Sequence, residues 1–124
     1  MANELEFEEL APGKYSGTVE RVRYIFTTVT QIVITYKLST PTGVRRVEEK
    51  LLISAPPASV SYFHTTQGLG RVEDILRIKG LTLADADGLK SLPRLLEGTA
   101  VTALTRNERT GGFNCPTVIR IEKP

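Results

Sequence analysis

One segment, Thr30–Ser39, constrains the fold most, because apolar side chains occupy every second position along it. These side chains are Ile32, Ile34, Tyr36 and Leu38. Successive side chains of a strand point to opposite faces, so the pattern predicts a strand with one face in a core. Thr40-Pro41-Thr42-Gly43 can then form a tight turn, and Val44–Ile53 is the predicted third strand. Within it, Glu49 falls on the inward parity, although its neighbours Glu48 and Lys50 face solvent.

A long first strand is predicted over Lys14–Phe26, which is rich in Tyr, Thr, Val and Ile. Its apolar residues change parity, since Val19 belongs to one set and Val22 to the other. One extra residue in a strand causes such a shift, so we expect a β-bulge at Glu20–Arg21. Gly17 marks a bend in the same strand.

After the third strand, the apolar spacing changes to three and four residues, which is typical of helices. We expect one helix over Ala58–Gln67 and another over Arg71–Ile78, with Gly68 and Gly80 at helix ends. A mixed connector over Leu81–Leu96 leads to the C-terminal part of the chain.

The C-terminal part is predicted to be a hairpin of two strands, Thr99–Arg106 and Phe113–Glu122, joined by a loop over Asn107–Gly112. The order is therefore three strands, a helical insert and two strands. This is the layout of a five-stranded OB-fold-like Greek-key barrel, a mainly β fold with a helix between strands 3 and 4. Another five-stranded α+β sheet of the same order is the alternative.

Composition excludes several classes of protein. The 124 residues suit one domain, residues 11–124, after an acidic lead-in over residues 1–10. No apolar run approaches the ~20 residues of a membrane span, and no export signal is recognisable, so we expect a cytoplasmic protein. A single cysteine, Cys115, and a single histidine, His64, leave little for a metal site or a nucleophile–base pair. We therefore expect no enzyme activity and no cofactor.

Charge is distributed unevenly along the chain. The acidic lead-in carries four glutamates and no basic residue. The remaining residues carry 16 Lys and Arg against 10 Asp and Glu, a net charge of +6. A positive field of this kind favours a polyanionic partner.

Two segments carry a resemblance to a known family. One is LAPGKYSGTVERV at Leu10–Val22, and the other is LLEGTAVTALTRNERTGGFNCPTVIRI at Leu95–Ile121, which follows a helix closing on Gly80-Leu81. Over roughly residues 10–122, the chain resembles the compact phage and prophage single-stranded-DNA-binding proteins. The resemblance implies that the chain adopts an OB-fold and that the protein acts in the cytoplasm of a bacterial host cell. It also implies non-catalytic binding of single-stranded DNA, with little sequence preference, in phage or mobile-element replication or recombination. The chain ends Ile-Glu-Lys-Pro, without the acidic tail through which many such proteins recruit partners.

Binding of a single strand requires cations for the phosphates and exposed aromatic rings on which bases stack. The residues that we expect to supply them lie in the first three strands and the last hairpin. They are Arg21, Arg23, Tyr24, Lys37, Arg46, Lys50, Arg106, Arg109 and Phe113.

Several of these residues have a second interpretation. Tyr24 follows the parity of core-facing Val22, as does Phe26, which is the weaker candidate for an exposed ring. Arg46 and Lys50 could make surface ion pairs with neighbouring glutamates. Phe113 could belong to the core. Separately, the loop before it could be a plain glycine hairpin with solvated arginines.

Partners follow from these hypotheses. The leading partner is single-stranded DNA. The alternative is a protein-interaction module that docks on a replication, recombination or defence protein through a sheet edge or the acidic lead-in. Because a small barrel offers a short groove, a homodimer formed through Leu5 and Phe7 would extend the site.

Overall fold

The computed structural model describes residues 10–26, 30–54, 66–86, 90–110 and 113–124. The five strands are β1 (Gly13–Phe26), β2 (Thr30–Thr40), β3 (Gly43–Ser54), β4 (Ala100–Thr110) and β5 (Phe113–Glu122). Between β3 and β4 lie helix α1 (Thr66–Ile78), a single 3₁₀ turn (Leu83–Asp85) and the short helix α2 (Leu92–Leu96). The predicted mainly β class, with a helix between strands 3 and 4, is confirmed.

The strands form one antiparallel sheet in the order β3-β2-β1-β4-β5. Three strands connected in sequence, with the fourth returning beside the first, define a Greek key. The last strand joins β4 as a hairpin. The edge strands β3 and β5 contact each other, but the ladders of the described residues leave the sheet open between them. This arrangement agrees with the partly open barrel of the OB-fold.

The predicted bulge in β1 is confirmed. Val19 pairs with Tyr36 of β2, and the next pair is Arg21 with Thr35, so Glu20 has no partner residue across the ladder. Because of this extra residue, both Val19 and Val22 reach the core.

The segment between α2 and β4 fixes the bulge through hydrogen bonds. The Val19 N–H donates to the Thr99 carbonyl oxygen at 2.9 Å, and the Val19 carbonyl accepts from the Gly98 N–H at 2.7 Å. The Val22 N–H donates to Glu97 Oε2 at 2.8 Å. These contacts supply partners for backbone groups of β1 beyond the last β1–β4 pair, Thr18 with Ala100.

Gly17 is needed because β1 and β2 approach closely at this point. A Cβ on residue 17 would overlap the Lys37 carbonyl oxygen and would lie 2.7 Å from Leu38 Cδ2. We expect Gly17→Ala to lower the free energy of unfolding by at least about 1 kcal/mol, since a backbone oxygen cannot move aside cheaply. Urea unfolding measures the change. Gly13→Ala is the matched control, because a Cβ there meets nothing within 4 Å. Equal stability of the two variants would contradict the close approach.

The hydrophobic core lies between one face of the sheet and the two helices. The helices contribute Val72, Ile75, Leu76, Leu92 and Leu96. The strands contribute Val19, Val22, Ile32, Ile34, Tyr36, Leu38, Val47, Leu51, Val101, Ala103, Val118 and Ile121. We call this side of the sheet the inner face and the opposite side the outer face. The alternation predicted for the second strand is confirmed, because all four of its apolar even-numbered side chains are in the core.

The helix boundaries correct one prediction and confirm another. Gly68 was predicted as a helix end, but helix α1 continues through it. Burial of apolar side chains such as Val72 and Ile75 outweighs the cost of about 1 kcal/mol for a glycine inside a helix. Gly80 does end the helix at a positive φ of 75°. Its N–H donates to the Arg77 carbonyl, and the Leu81 N–H donates to the Leu76 carbonyl.

The predicted helix over Ala58–Gln67 lies mostly outside the described residues. Only its last two residues are described, and they begin α1. His64 also lies outside them.

The last hairpin is longer than predicted. Residues 107–110, predicted as loop, continue β4 and pair with β5, Asn107 opposite Pro116 and Arg109 opposite Asn114. Cross-strand pairing outweighs the turn preference of asparagine here, and Asn107 Nδ2 also donates to the Leu10 carbonyl oxygen at 2.9 Å. Residues 111 and 112 lie outside the described residues.

Candidate nucleic-acid interface

Three successive cross-strand rows form the central part of the outer face of β1, β2 and β3. They are Arg23–Val33–Lys50, Arg21–Thr35–Glu48 and Thr18–Lys37–Arg46. Residues directly opposite each other in a ladder share a face of the sheet. The fold therefore brings five of the predicted residues to one surface, which we call the cationic face. Its basic residues are Arg21, Arg23, Lys37, Arg46 and Lys50.

The cationic face is positively charged and open to solvent. All five basic residues are exposed. Two carboxylates, those of Glu20 and Glu48, pair with arginines of this face, which leaves five cations and two anions, a net charge of +3. Within the described ranges, Arg21, Lys37 and Lys50 have no ion-pair partner. Three cations are thus available to an external anion.

The other two cations of this face are held by carboxylates. Arg46 Nε donates to both oxygens of Glu20, at 2.8 and 3.1 Å, and this contact raises the pKa of the guanidinium. Arg23 Nη2 lies 3.2 Å from Glu48 Oε2. Arg46 therefore does form a surface ion pair, but with Glu20 of the first strand and not with the neighbouring Glu48 or Glu49. Among the described residues, Lys50 has no ion pair.

The two aromatic residues at the end of β1 differ in exposure. Tyr24 lies on the inner face, packs against the core and is half-buried, and burial raises its pKa to about 12. The Phe26 ring is 5.7 Å from the Tyr24 ring and 69% exposed. The predicted ranking is thus reversed, because the strand continues past the core and leaves its last side chain uncovered. The feature of the sequence that signals this exposure is the position of Phe26, which is the last residue of β1.

The remaining predicted residues lie on the last hairpin. Arg106 is exposed on β4, which is two strands away from β2, and it pairs with Thr117 of β5. Arg109 lies opposite Asn114, and Phe113 lies opposite Thr110, in the last pairs before the tip. The side chains of Arg109 and Phe113 lie outside the described part of the chain. None of these three residues belongs to the cationic face.

A buried polar cluster on the inner face joins α1 to the sheet. Glu49, predicted on the inward parity, is buried there. Its carboxylate accepts hydrogen bonds from the Tyr36 hydroxyl at 2.7 Å and from Arg71 Nε at 3.0 and 3.1 Å. Arg71 Nη1 also lies 3.3 Å from Asp74 Oδ2. Sequence reasoning found Glu49 but missed Arg71, although a buried carboxylate signals that a donor must exist nearby.

Titration in this cluster is governed by burial. Burial raises the pKa of the Glu49 carboxyl above its ordinary value of 4.5, although the Arg71 charge acts in the opposite direction. Burial, together with the adjacent Glu49 charge, also raises the pKa of the Tyr36 hydroxyl well above its usual range. The cluster packs within the core, on the side of the sheet away from the cationic face.

Comparison with known proteins found no match, either among protein-family models or among curated proteins. In the described ranges, none of the helices is long and apolar enough to cross a bilayer. Nor do three or more His, Cys, Asp or Glu side chains gather there in a group that could hold a metal ion.

Proposed function

We propose that this protein binds single-stranded DNA on the cationic face and catalyses no reaction. The observation that carries the proposal is the gathering of five cations from three strands on one exposed face of the sheet, where three of them have no carboxylate partner among the residues that the structure describes. Cations spaced along neighbouring strands can neutralise successive phosphates, and the counterions that this releases favour binding. The outer face of strands 2 and 3 is also where OB-folds bind oligonucleotides.

A single strand suits this site better than a duplex. Phe26 has the inner-face parity of Tyr24, but it is the last residue of β1, its side chain is exposed, and it lies roughly 10 Å beyond Arg23 along the strand. An unpaired base can stack on such a ring, whereas a base within a duplex cannot. The sequence resemblance supports the same ligand, with little sequence preference, in phage or mobile-element replication or recombination in the host cytoplasm.

Binding to labelled oligo-dT, followed by fluorescence anisotropy over a series of salt concentrations, tests the proposal. Affinity should fall steeply with salt, by about 0.7 units of slope for each phosphate neutralised. The double variant Lys37→Ala/Lys50→Ala should lower that slope by about 1.4. Both lysines are exposed, so the variant should fold normally.

Arg94→Ala is the control, because Arg94 is exposed on α2, on the inner side of the sheet. It should bind like the wild-type protein. Absence of binding by the wild-type protein at low salt would overturn the proposal. Equal losses in the lysine variant and the Arg94 control would move the site away from the cationic face.

A protein-interaction module remains the second candidate function, favoured by exposed apolar side chains on the two edge strands. Val44 of β3 is 57% exposed, and Ile119 of β5 is 43% exposed. Removing residues 1–9 distinguishes the candidates, and the deletion must stop before Leu10, whose side chain is in the core. Unchanged or tighter DNA binding favours the first function, whereas loss of a protein partner favours the second.

A further inference from the structure

Both ion pairs of the cationic face join β1 to β3 and therefore cross β2. Glu20 of β1 reaches Arg46 of β3, and Arg23 of β1 reaches Glu48 of β3. Neighbouring strands are about 4.8 Å apart, so each pair spans roughly 10 Å, with the middle strand between its partners. The polarity is opposite in the two pairs, since the acid lies on β1 in one and on β3 in the other.

The β-bulge helps to place these pairs. Without the extra residue, Arg21 would follow the inward parity of Val19. With it, Glu20 and Arg21 are both exposed, and Val22 returns to the core. Glu20 is therefore an outward-facing acid that has no partner residue in the ladder of β2.

The middle strand is partly covered in the region that the pairs cross. The Arg23–Glu48 pair runs diagonally from the row of Val33 to the row of Thr35. Val33 is fully buried and Thr35 is half-buried, although both lie on the outer face. In contrast, Lys37 is exposed. Both ion pairs cross β2 between the rows of Val33 and Lys37, so an anion that settles along this part of β2 must meet them.

We propose that Glu20 and Glu48 act as internal competitors for the ligand, holding Arg46 and Arg23 over β2 until phosphates replace them. The inference rests on the proposed function and concerns the regulation of the same site. Both pairs are exposed to solvent, so they are weak and exchange easily. A chain of linked phosphates can replace both carboxylates in one binding event, whereas a single phosphate can replace only one. The expected ligand is thus a polyphosphate backbone rather than an isolated phosphate group.

Removing the competing charge tests the inference. Glu20→Gln and Glu48→Gln should each bind oligo-dT about two- to fivefold more tightly than the wild-type protein. Glu73→Gln is the matched control, because it makes the same charge change at an exposed position of α1, on the inner side of the sheet. Thermal melting should show the same stability for the three variants and the wild-type protein.

A double-mutant cycle separates competition from a general effect of charge. Arg46→Ala should weaken binding only slightly in the wild-type background, where Glu20 already occupies the guanidinium. In the Glu20→Gln background, the same substitution should cause a larger loss. Inorganic phosphate at the same phosphate concentration should compete poorly with oligo-dT in every background.

The outcomes are distinguishable. If the wild-type protein does not bind oligo-dT, the proposed function fails, and the competition fails with it. If the protein binds but Glu20→Gln and Glu48→Gln behave like Glu73→Gln, only the competition is overturned. Equal effects of Arg46→Ala in both backgrounds would also overturn it, because general electrostatics alone gives additive changes.

Discussion

Replacing Glu49 with alanine should lower the free energy of unfolding by about 3 kcal/mol, the largest effect that we expect of a single substitution. The change removes the carboxylate that accepts hydrogen bonds from Arg71 and Tyr36 and leaves both donors in the core. Removing one partner of a buried ion pair typically costs about 3–5 kcal/mol, and we expect the lower end because Asp74 still contacts Arg71. Urea unfolding at pH 7 provides the measurement.

Glu49→Gln is the control for shape and hydrogen bonding. Burial raises the pKa of the Glu49 carboxyl, so the folded protein favours the neutral form of this side chain over the charged form more than the unfolded chain does. The amide oxygen can still accept a hydrogen bond from Tyr36 or Arg71. We therefore expect a much smaller loss for glutamine than for alanine. Equal losses would show that the volume of the side chain, rather than its oxygens, holds α1 to the sheet.

The same pKa shift predicts a pH dependence. The unfolded chain releases the Glu49 proton at a lower pH than the folded chain, because the folded pKa lies above 4.5. The contribution of Glu49 to stability is then fully present below the unfolded pKa and is lost as pH rises through the folded pKa. The stability of the wild-type protein relative to Glu49→Gln should decrease over that window, and a constant difference would contradict the shift.

Much of the fold follows from sequence patterns that act locally. Strand alternation places the side chains of β2, the change of parity in β1 locates the bulge, and Gly80 ends α1. Two boundaries were wrong because long-range contacts decide them. Packing of α1 in the core carries the helix through Gly68, and pairing with β5 extends β4 to Thr110.

The candidate site was also predictable only in part, because local patterns place some of its residues and long-range contacts place the others. Parity alone places Arg21, Arg23 and Lys37 on the outer face, so their position was accessible from the sequence. The pairing of Glu20 with Arg46 was not accessible, because it joins strands that are separated by a third and depends on the register of both ladders. The exposure of Phe26 depends on where the core ends, and parity does not specify that point.

Phe26 should provide the largest single contribution of an aromatic residue to DNA binding. Stacking of one base on an exposed ring contributes about 1–3 kcal/mol, so Phe26→Ala should weaken oligo-dT binding by about 5- to 150-fold. The salt dependence should stay the same, because the substitution removes no charge. Stability should change little, since the Phe26 side chain is 69% exposed and Tyr24, which its ring contacts, retains its own core contacts.

The measurement compares two ligands of equal charge, oligo-dT and an abasic oligonucleotide of the same length. Because an abasic strand has no base to stack, Phe26→Ala should bind it as well as the wild-type protein does, and the loss should be confined to oligo-dT. Ile119→Ala, which removes an exposed apolar side chain from β5, is the control and should bind both ligands normally. Equal losses on the two ligands would indicate a change in the shape of β1. Unchanged binding of oligo-dT would show that bases do not stack at this end of β1 and that the cationic face alone holds the strand.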